Sequence, residues 1–335
     1  MLKLCLSLVV AWILVLLMGP KVIPMLRKLH FGQTIYDLGP QAHKSKQGTP
    51  VMGGLMMAAA MVVVTLLLHA GSFQGKSDFG LALLAVSLLS MLVGFADDYI
   101  KAVKKRHEGL TPWQKIAGQV VVAVLFSYYC YRHPQVGSSI ILPISGNEWD
   151  LGWVYVPLMS LLAIFMINSA NLQDGLDGLM GSVTSVSMIG WGALCLVMYR
   201  LLPDAAAAQN HLTAAGYALG LAGAAMGYLR YNRYPAKVFM GDTGSMFIGG
   251  AVVGLSMLTR QPFLLLLFDF TLIMSSVSVI LQRIYFKLTH GKRIFKMSPI
   301  HHHFELSGYS ETQIVSMYAC VTAVLSVCAV LSQIR

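Results

Sequence analysis

The chain reads as all-α: a polytopic integral membrane protein of about ten transmembrane helices, with a cytoplasmic cleft and a short outer β-hairpin. Three observations predict this. Of the 335 residues, 56% are hydrophobic and only 11% are charged, whereas a soluble domain carries about 25% charged residues. Apolar runs of roughly 20 residues recur from end to end, each long enough to cross a hydrocarbon core of about 30 Å. No polar interval between them is long enough for a second, soluble domain, so residues 1–335 read as one polytopic domain.

The apolar runs place spans at about 3–24, 51–69, 79–97, 113–131, 153–170, 179–199, 212–229, 243–259, 263–285 and 312–333. The first run mimics a signal peptide. It lacks a small-x-small cleavage site and continues through Gly19-Pro20, so it is kept as span one. Ten spans put both termini on the same side. Seventeen lysines and arginines fall in one set of loops, from Arg27 and Lys28 to Arg293 and Lys296, and six fall on the other side. The positive-inside rule makes the first set cytoplasmic and both termini external. The formal charge of +10 therefore serves topology and contact with anionic lipid or substrate rather than nucleic acid. The five cysteines, Cys5, Cys130, Cys195, Cys320 and Cys328, lie in apolar segments with no CxxC pair, and read as small hydrophobes. An outer interval, 138–156, alternates weakly around the turn Ser145-Gly146-Asn147 and predicts the hairpin. Gly216/Gly220, Gly223/Gly227 and Gly250/Gly254 are small-xxx-small pairs that predict close helix packing.

The polar clusters fall at the predicted cytoplasmic ends of the spans. Asn171-Leu172-Gln173-Asp174-Gly175-Leu176-Asp177-Gly178-Leu179 ends the fifth span. Ionisable groups are costly at a span's edge and mark function there, and the glycines break the helix and let backbone approach a ligand. A plain Asp/Gly turn is the alternative; two carboxylates and Asn171 at three-residue spacing favour a polar site. Asp97 and Asp98 end span three. They repel unless a cation or metal lies between them, and Lys101 is one partner by helical spacing. An ion pair at a helix end explains this pair equally well.

Met240-Gly241-Asp242-Thr243-Gly244-Ser245 opens span eight. It suits both a phosphate-approaching loop and an N-cap, although a cap leaves the two flanking glycines unexplained. His301-His302-His303-Phe304-Glu305 follows a basic stretch, Lys287 to Lys296. Consecutive side chains on a helix diverge by about 100°, which favours imidazoles donating to an anion over one shared zinc ion. Residues 43–50, with Lys44, Lys46 and Thr49, form a basic loop suited to phosphate. Carboxylates for a hard cation, lysines for phosphate oxygens and glycines for close approach describe Mg²⁺-assisted phosphoryl transfer. At a membrane surface, one substrate can be a lipid.

DDYIK (97–101), NLQDGLDGL (171–179), VFMGDTGS (238–245), HHHFE (301–305) and KQGTPVMGG (46–54) together resemble the motifs of the bacterial phospho-N-acetylmuramoyl-pentapeptide transferases. These form a branch of the polyprenyl-phosphate N-acetylhexosamine-1-phosphate transferases. The resemblance runs the length of the chain in order. It implies transfer of phospho-MurNAc-pentapeptide from UDP-MurNAc-pentapeptide to undecaprenyl phosphate in the bacterial inner membrane, releasing UMP and forming lipid I. It also implies Mg²⁺, ten spans and a homodimer. Residue by residue, it implies Asp242 as the metal-proximal carboxylate, with Asp174 as a second metal ligand, and Asp97 and Asp98 facing the lipid phosphate. Lys101 and Lys115 would contact phosphate, and His301 and His302 would lie beside sugar and pyrophosphate. Asn171, Asp174, Gly175, Asp177 and Phe239 would form the nucleotide pocket, Phe239 stacking on uracil; Lys44, Thr49, Asn232, Gln282 and His303 complete the substrate-binding set. Where many relatives carry a carboxylate in span nine, Ser275 and Ser276 stand here; Asp269, nearer the outer end, reads as a structural hydrogen-bonding residue. A sister enzyme using UDP-GlcNAc, and a secondary transporter with carboxylates as ion-coupling sites, remain the alternatives. Transporter sites sit near the bilayer midplane, unlike these clusters.

Overall fold

A computed structural model describes residues 2–28, 46, 48–72, 77–104 and 109–334. The long helices stand where the apolar runs predict, in a chain built mostly of helices. They are α1 (Leu2–Lys28), α2 (Gly54–Ser72), α3 (Phe79–Lys104), α4 (Pro112–Arg132), α5 (Tyr155–Gln173), α6 (Leu179–Leu201), α7 (Ala205–Asn232), α8 (Gly241–Leu258), α9 (Leu265–Phe268), α10 (Phe270–Leu288), α11 (Ile300–Glu305) and α12 (Glu311–Leu331). Among the described residues, α1, α3, α5, α6, α7, α10 and α12 contain stretches long and apolar enough to cross a membrane, which makes this a multi-pass membrane protein. The apolar stretch of α2, Gly54–Leu68, is shorter. The polar opening turns of α4 and α8 dilute their hydropathy, and α8 is buried from Thr243 to Leu258. A helix enclosed on every side belongs to the protein interior rather than to lipid.

Two local details depart from the expected spans. The ninth run is not one helix: a 3-10 turn at Pro262–Leu264 and the short α9 precede a break at Asp269, from which α10 starts. The Asp269 carboxylate accepts hydrogen bonds from Ser187 Oγ (2.7 Å) and Trp191 Nε1 (2.9 Å). It is a buried hydrogen-bonding residue, as expected, and it tethers the break to α6. Second, the histidine motif forms a helix of its own, α11. The expected hairpin is present: β1 (Ser139–Ile141) pairs antiparallel with β2 (Glu148–Asp150), Ile140 opposite Trp149. The cysteines are all free.

The centre of the bundle is α8, packed on α3 and α5, while α7 packs on α6, α1 and α2. Small residues make these contacts possible. A Cβ added at Gly250 would lie 2.7 Å from Ser90 Oγ and 2.8 Å from the Val86 carbonyl of α3. Gly223 meets the α1 backbone at Leu8 in the same manner. Between membrane helices there is little hydrophobic drive, so such close backbone contact carries association.

Gly250→Ala is therefore expected to cost about 1–3 kcal/mol through overpacking. Gly80→Ala, whose added Cβ meets nothing nearer than Thr213 Cβ at 3.5 Å, should be close to neutral. Thermal unfolding in detergent checks this; equal midpoints for the two variants would refute the packing account.

Candidate active site

The C-terminal ends of α3, α5, α7 and α10 and the N-terminal ends of α4, α6, α8 and α12 meet at one end of the bundle, the end rich in lysine and arginine. The glycines at 175 and 178 stop the fifth helix where expected: α5 ends at Gln173 and α6 starts at Leu179 after Gly178 adopts φ 79°.

Asp98 organises the centre. The first turn of α8 has no side-chain cap of its own. Asp98, reaching across from α3, supplies one: Oδ2 accepts from the Thr243 amide (2.9 Å) and hydroxyl (2.7 Å), and Oδ1 from the Asp242 amide (3.3 Å). These are the orphan donors that every helix start must satisfy. The cap expected within the GDTGS motif thus comes from another helix, which leaves Asp242 free for the site. The flanking glycines are now explained. Gly241 adopts φ 73°, and a Cβ there would lie 2.5 Å from Asp98 Oδ2; Gly244 abuts Gly54 of α2.

Asp242 is the hub. Its Oδ1 accepts from Asn171 Nδ2 (2.7 Å); its Oδ2 accepts from Lys115 Nζ (2.8 Å) and Lys101 Nζ (3.3 Å). Asn171 is fixed in turn by Ser245 Oγ (3.0 Å) and Lys115 (3.2 Å). Asp97 pairs with Lys101 and accepts the Leu110 amide at 2.8 Å. One carboxylate oxygen from each of Asp97, Asp98 and Asp242 lies within 4.8 Å of the others. Three carboxylates against two lysines leave excess negative charge, and all the donors are hard oxygens. That set fits a divalent cation of the Mg²⁺ type. Asp174 lies half-buried nearby, and among the described residues its carboxylate takes no hydrogen bond. Burial first, then the charges of Asp242, Asp98 and Asp177, push it up to about 8. A bound cation would reverse that shift.

Asp177 belongs to a second network. Its Oδ1 accepts from Lys46 Nζ (2.8 Å), its Oδ2 from the Ala236 amide (2.9 Å), and its own amide donates to Glu311 Oε2 (3.0 Å). Phe239 sits where two loops are stitched together: its amide donates to the Pro50 carbonyl (2.8 Å) and its carbonyl accepts from Gly53 (2.9 Å). Its ring is half-buried and joins neither apolar cluster of the described residues.

The remaining expected residues divide. His301 is fully buried, its ring lying against Gly175 and 4.4 Å, centroid to centroid, from that of His302; any side chain at 175 would overlap it. His302 Nδ1 pairs with Glu305 (3.0 Å), and His303 Nδ1 accepts the Lys296 amide (3.1 Å). The His301 and His302 rings meet edge to face, while the His303 ring packs edge-on against Phe295 and Phe304. Asn232 and Gln282, expected at the substrate, both use their amides on backbone. Asn232 accepts from Gly178 and donates to Val238, while Gln282 accepts from Ile294 and Phe295 and donates to Phe295. They shape the walls of the site. Thr49 is half-buried in a turn closed by its amide on the Lys46 carbonyl (3.2 Å). Lys44 lies outside the described residues. Sequence reasoning missed Lys46 and Glu311 as a pair. Glu311 reads in sequence as an ordinary acid in the first turn of a helix, and only its partner 265 residues away distinguishes it.

Membrane-crossing helices that converge on a carboxylate–lysine cluster at one end define a multi-pass membrane protein with a charged site among its helix ends. The model of the family described as glycosyl transferase family 4 matches residues 80–260. The chain is 40% identical to a phospho-N-acetylmuramoyl-pentapeptide-transferase of Clostridium kluyveri over 99% of this chain and 100% of that protein. It is 41% identical to one of Listeria monocytogenes over 96% of each, and 40% identical to one of Halalkalibacterium halodurans over 98% and 96%. The chain belongs to glycosyl transferase family 4 and, within it, to the phospho-N-acetylmuramoyl-pentapeptide-transferases.

The trans-cap has a direct consequence. Asp98→Ala leaves the α8 amides unsatisfied in a buried place, an expected cost of about 1–3 kcal/mol. Thr243→Val, which removes only the hydroxyl bond, should cost less. Thermal midpoints that rank the two variants the other way would argue against Asp98 as the cap.

Proposed function

We propose that this protein transfers phospho-N-acetylmuramoyl-pentapeptide from UDP-MurNAc-pentapeptide to undecaprenyl phosphate, releasing UMP and forming lipid I. It would do so with Mg²⁺, at the cytoplasmic face of a bacterial inner membrane, as a ten-span homodimer with both termini outside. The observation that carries the reading is the set of Asp97, Asp98 and Asp242 interleaved with Lys101 and Lys115 at the basic end of the bundle. Near-full-length similarity to proteins that share one name supports the muramoyl donor over UDP-GlcNAc.

The residues suggest a division of labour. Asp242 and Asp97 offer oxygens to the metal, with the Asp174 carboxylate in the same field, while Asp98 holds the α8 turn. When bound, Mg²⁺ would screen the pyrophosphate and the charge gathering on the departing UMP. Lys101 and Lys115, which flank Asp242, would supply positive charge to phosphate oxygens. Gly175, Asp177 and Phe239 would border the nucleotide, and the His301 and His302 imidazoles would face the sugar-phosphate.

The lipid phosphate, with a second pKa near 6, is mostly dianionic at about pH 7 and needs little help from a base. Its oxygen would bond to the β-phosphorus of the donor as the bond from that phosphorus to the bridging oxygen breaks, and UMP carries the electron pair away. Direct attack is favoured over a covalent enzyme intermediate by the state of Asp242. Held by Asn171 and committed to the metal, that carboxylate would have to give up electrostatic stabilisation in order to attack.

Purified protein incubated with both substrates should release UMP only when Mg²⁺ is present. Asp242→Asn should lose at least about 10³-fold in turnover while remaining folded, by analogy with loss of a transition-state electrostatic contact. Near-normal turnover of that variant at saturating Mg²⁺ would take Asp242 out of the metal site. Phe239→Ala should instead raise the KM for the nucleotide sugar more than it lowers kcat, because stacking holds uracil equally in ground and transition states. An unchanged KM would mean that the ring serves only the loop.

A further inference from the structure

Lys115 reaches the site from a helix that has little else to fix its rotation. It stands near the start of α4, which packs mainly on α5 and α3. The rest of that helix faces outward, with Trp113, Ile116, Val121 and Leu125 exposed. Lipid tails are as apolar as the side chains they meet, so this outward face gives α4 no preferred rotation or register. Yet the ammonium of Lys115 must meet Asp242 Oδ2 at 2.8 Å and Asn171 Oδ1 at 3.2 Å.

One turn further along α4 lies Gln119, only 1% exposed. Its side-chain amide faces that of Asn168 on α5, and the two exchange hydrogen bonds. Gln119 Nε2 donates to Asn168 Oδ1 (3.3 Å), and Gln119 Oε1 accepts from Asn168 Nδ2 (2.8 Å). Asn168 Nδ2 also donates to the Ile164 carbonyl of its own helix at 2.8 Å, which fixes the way its amide points. Four residues forward on α4 correspond to three back on α5. Gln119 with Asn168 and Lys115 with Asn171 are therefore successive rungs between two antiparallel helices. At its other end α4 is held separately, by the Tyr129 hydroxyl donating to Asp78 just before α3 (2.7 Å). The inner half, which carries Lys115, can pivot about that anchor unless something stops it.

A reciprocal amide pair is suited to stop it. Each amide can give and take one bond only when the two stand opposite each other. A turn or slip of α4 would leave both unpaired against apolar surface, which is costly for polar groups. Such pairs add modestly to the stability of membrane bundles. In packed helices a buried polar residue instead specifies register, because apolar contacts tolerate several.

We infer that Gln119 and Asn168 are positioning residues, a register lock that aims Lys115 at Asp242 and at the phosphate oxygens of the substrates. The inference rests on the functional reading above and deepens it. Neither residue touches a reacting atom; both act through Lys115. Without the pair α4 stays in the bundle, but its inner half turns and the ammonium loses its place in the cluster.

The test uses the full-length protein in detergent with Gln119→Leu, Gln119→Leu/Asn168→Leu and the exchange variant Gln119→Asn/Asn168→Gln. Gln119→Leu is also placed in a Lys115→Met background. The first readout needs no turnover: an amine-reactive acylating reagent is applied, and the labelling rate of Lys115 is divided by that of Lys101, which sits on α3. Gln119→Leu should raise this ratio at least about threefold, whereas a general loosening would expose both lysines and leave it unchanged. The second readout is kcat and the two KM values for UMP release. Gln119→Leu should lower kcat at least about tenfold with both KM values within about threefold, the pattern of a contact that matters in the transition state. The double leucine variant should keep the thermal midpoint of the parent, since removing both partners leaves no unpaired group, yet its kcat should stay low. The exchange variant, which rebuilds the pair, should return kcat to within about threefold of the parent. In the Lys115→Met background, Gln119→Leu should cost less than about a further twofold, because the two act through one group.

A double leucine variant with the parental kcat and labelling ratio would overturn the inference. So would an exchange variant as slow as Gln119→Leu, or losses from Gln119→Leu and Lys115→Met that multiply in full. If Gln119→Leu alone does not fold, the double leucine and exchange variants carry the same decision. Wild-type protein that makes no lipid I would defeat the functional reading, while the labelling ratio would still decide whether the pair aims Lys115.

Discussion

A carboxylate on one helix satisfying the start of another is the contact on which the site depends. Asp98 stands at the end of α3, and the amides it accepts belong to Asp242 and Thr243 at the start of α8. A helix start inside a membrane protein has few waters to satisfy its free amides, and each one left unpaired in a buried place is costly. Because Asp98 meets that need, Asp242 can project its own side chain toward Lys101, Lys115 and Asn171. The same contact explains Gly241, where a side chain would strike the capping carboxylate.

Rigidity follows from the position of α8. It is enclosed along nearly its whole length, and its glycines press against α3 on one side and α5 on another. A carboxylate mounted on the first turn of such a helix, as Asp242 is, has little freedom. Positioning of this kind suits phosphoryl transfer, where catalysis rests on placement and electrostatic stabilisation more than on covalent chemistry.

Charge at the basic end is partitioned into two networks with different balances. Around Asp242, lysines hold carboxylates that a metal can claim, an arrangement open to exchange. Around Lys46, one buried cation holds two carboxylates and a backbone amide in a closed arrangement. The first suits a site whose ligands change partners during a reaction, and the second suits a frame. Asp174 lies between the two sets, feeling the charges of both.

The sequence by itself determined the multi-pass helical class, the positions of most of the long helices, the hairpin, the free cysteines and the small-residue helix contacts. All of these follow from local quantities: run length, hydropathy, turn residues and residue size. It also marked the Asp97–Asp98, Asn171–Asp177 and Asp242 motifs as polar sites at helix ends. Only the tertiary structure decided which partner each group takes. The identity of Asp98 as the cap of α8, the break at Asp269, the use of Asn232 and Gln282 on backbone, and the pairing of Lys46 with Glu311 join residues from 6 to 265 positions apart, most of them on different helices. No local pattern carries that information, because a carboxylate at a helix end looks alike in sequence whether it caps, pairs or binds. The choice is made by which helix ends the packing of α3, α5, α7, α8 and α12 brings together.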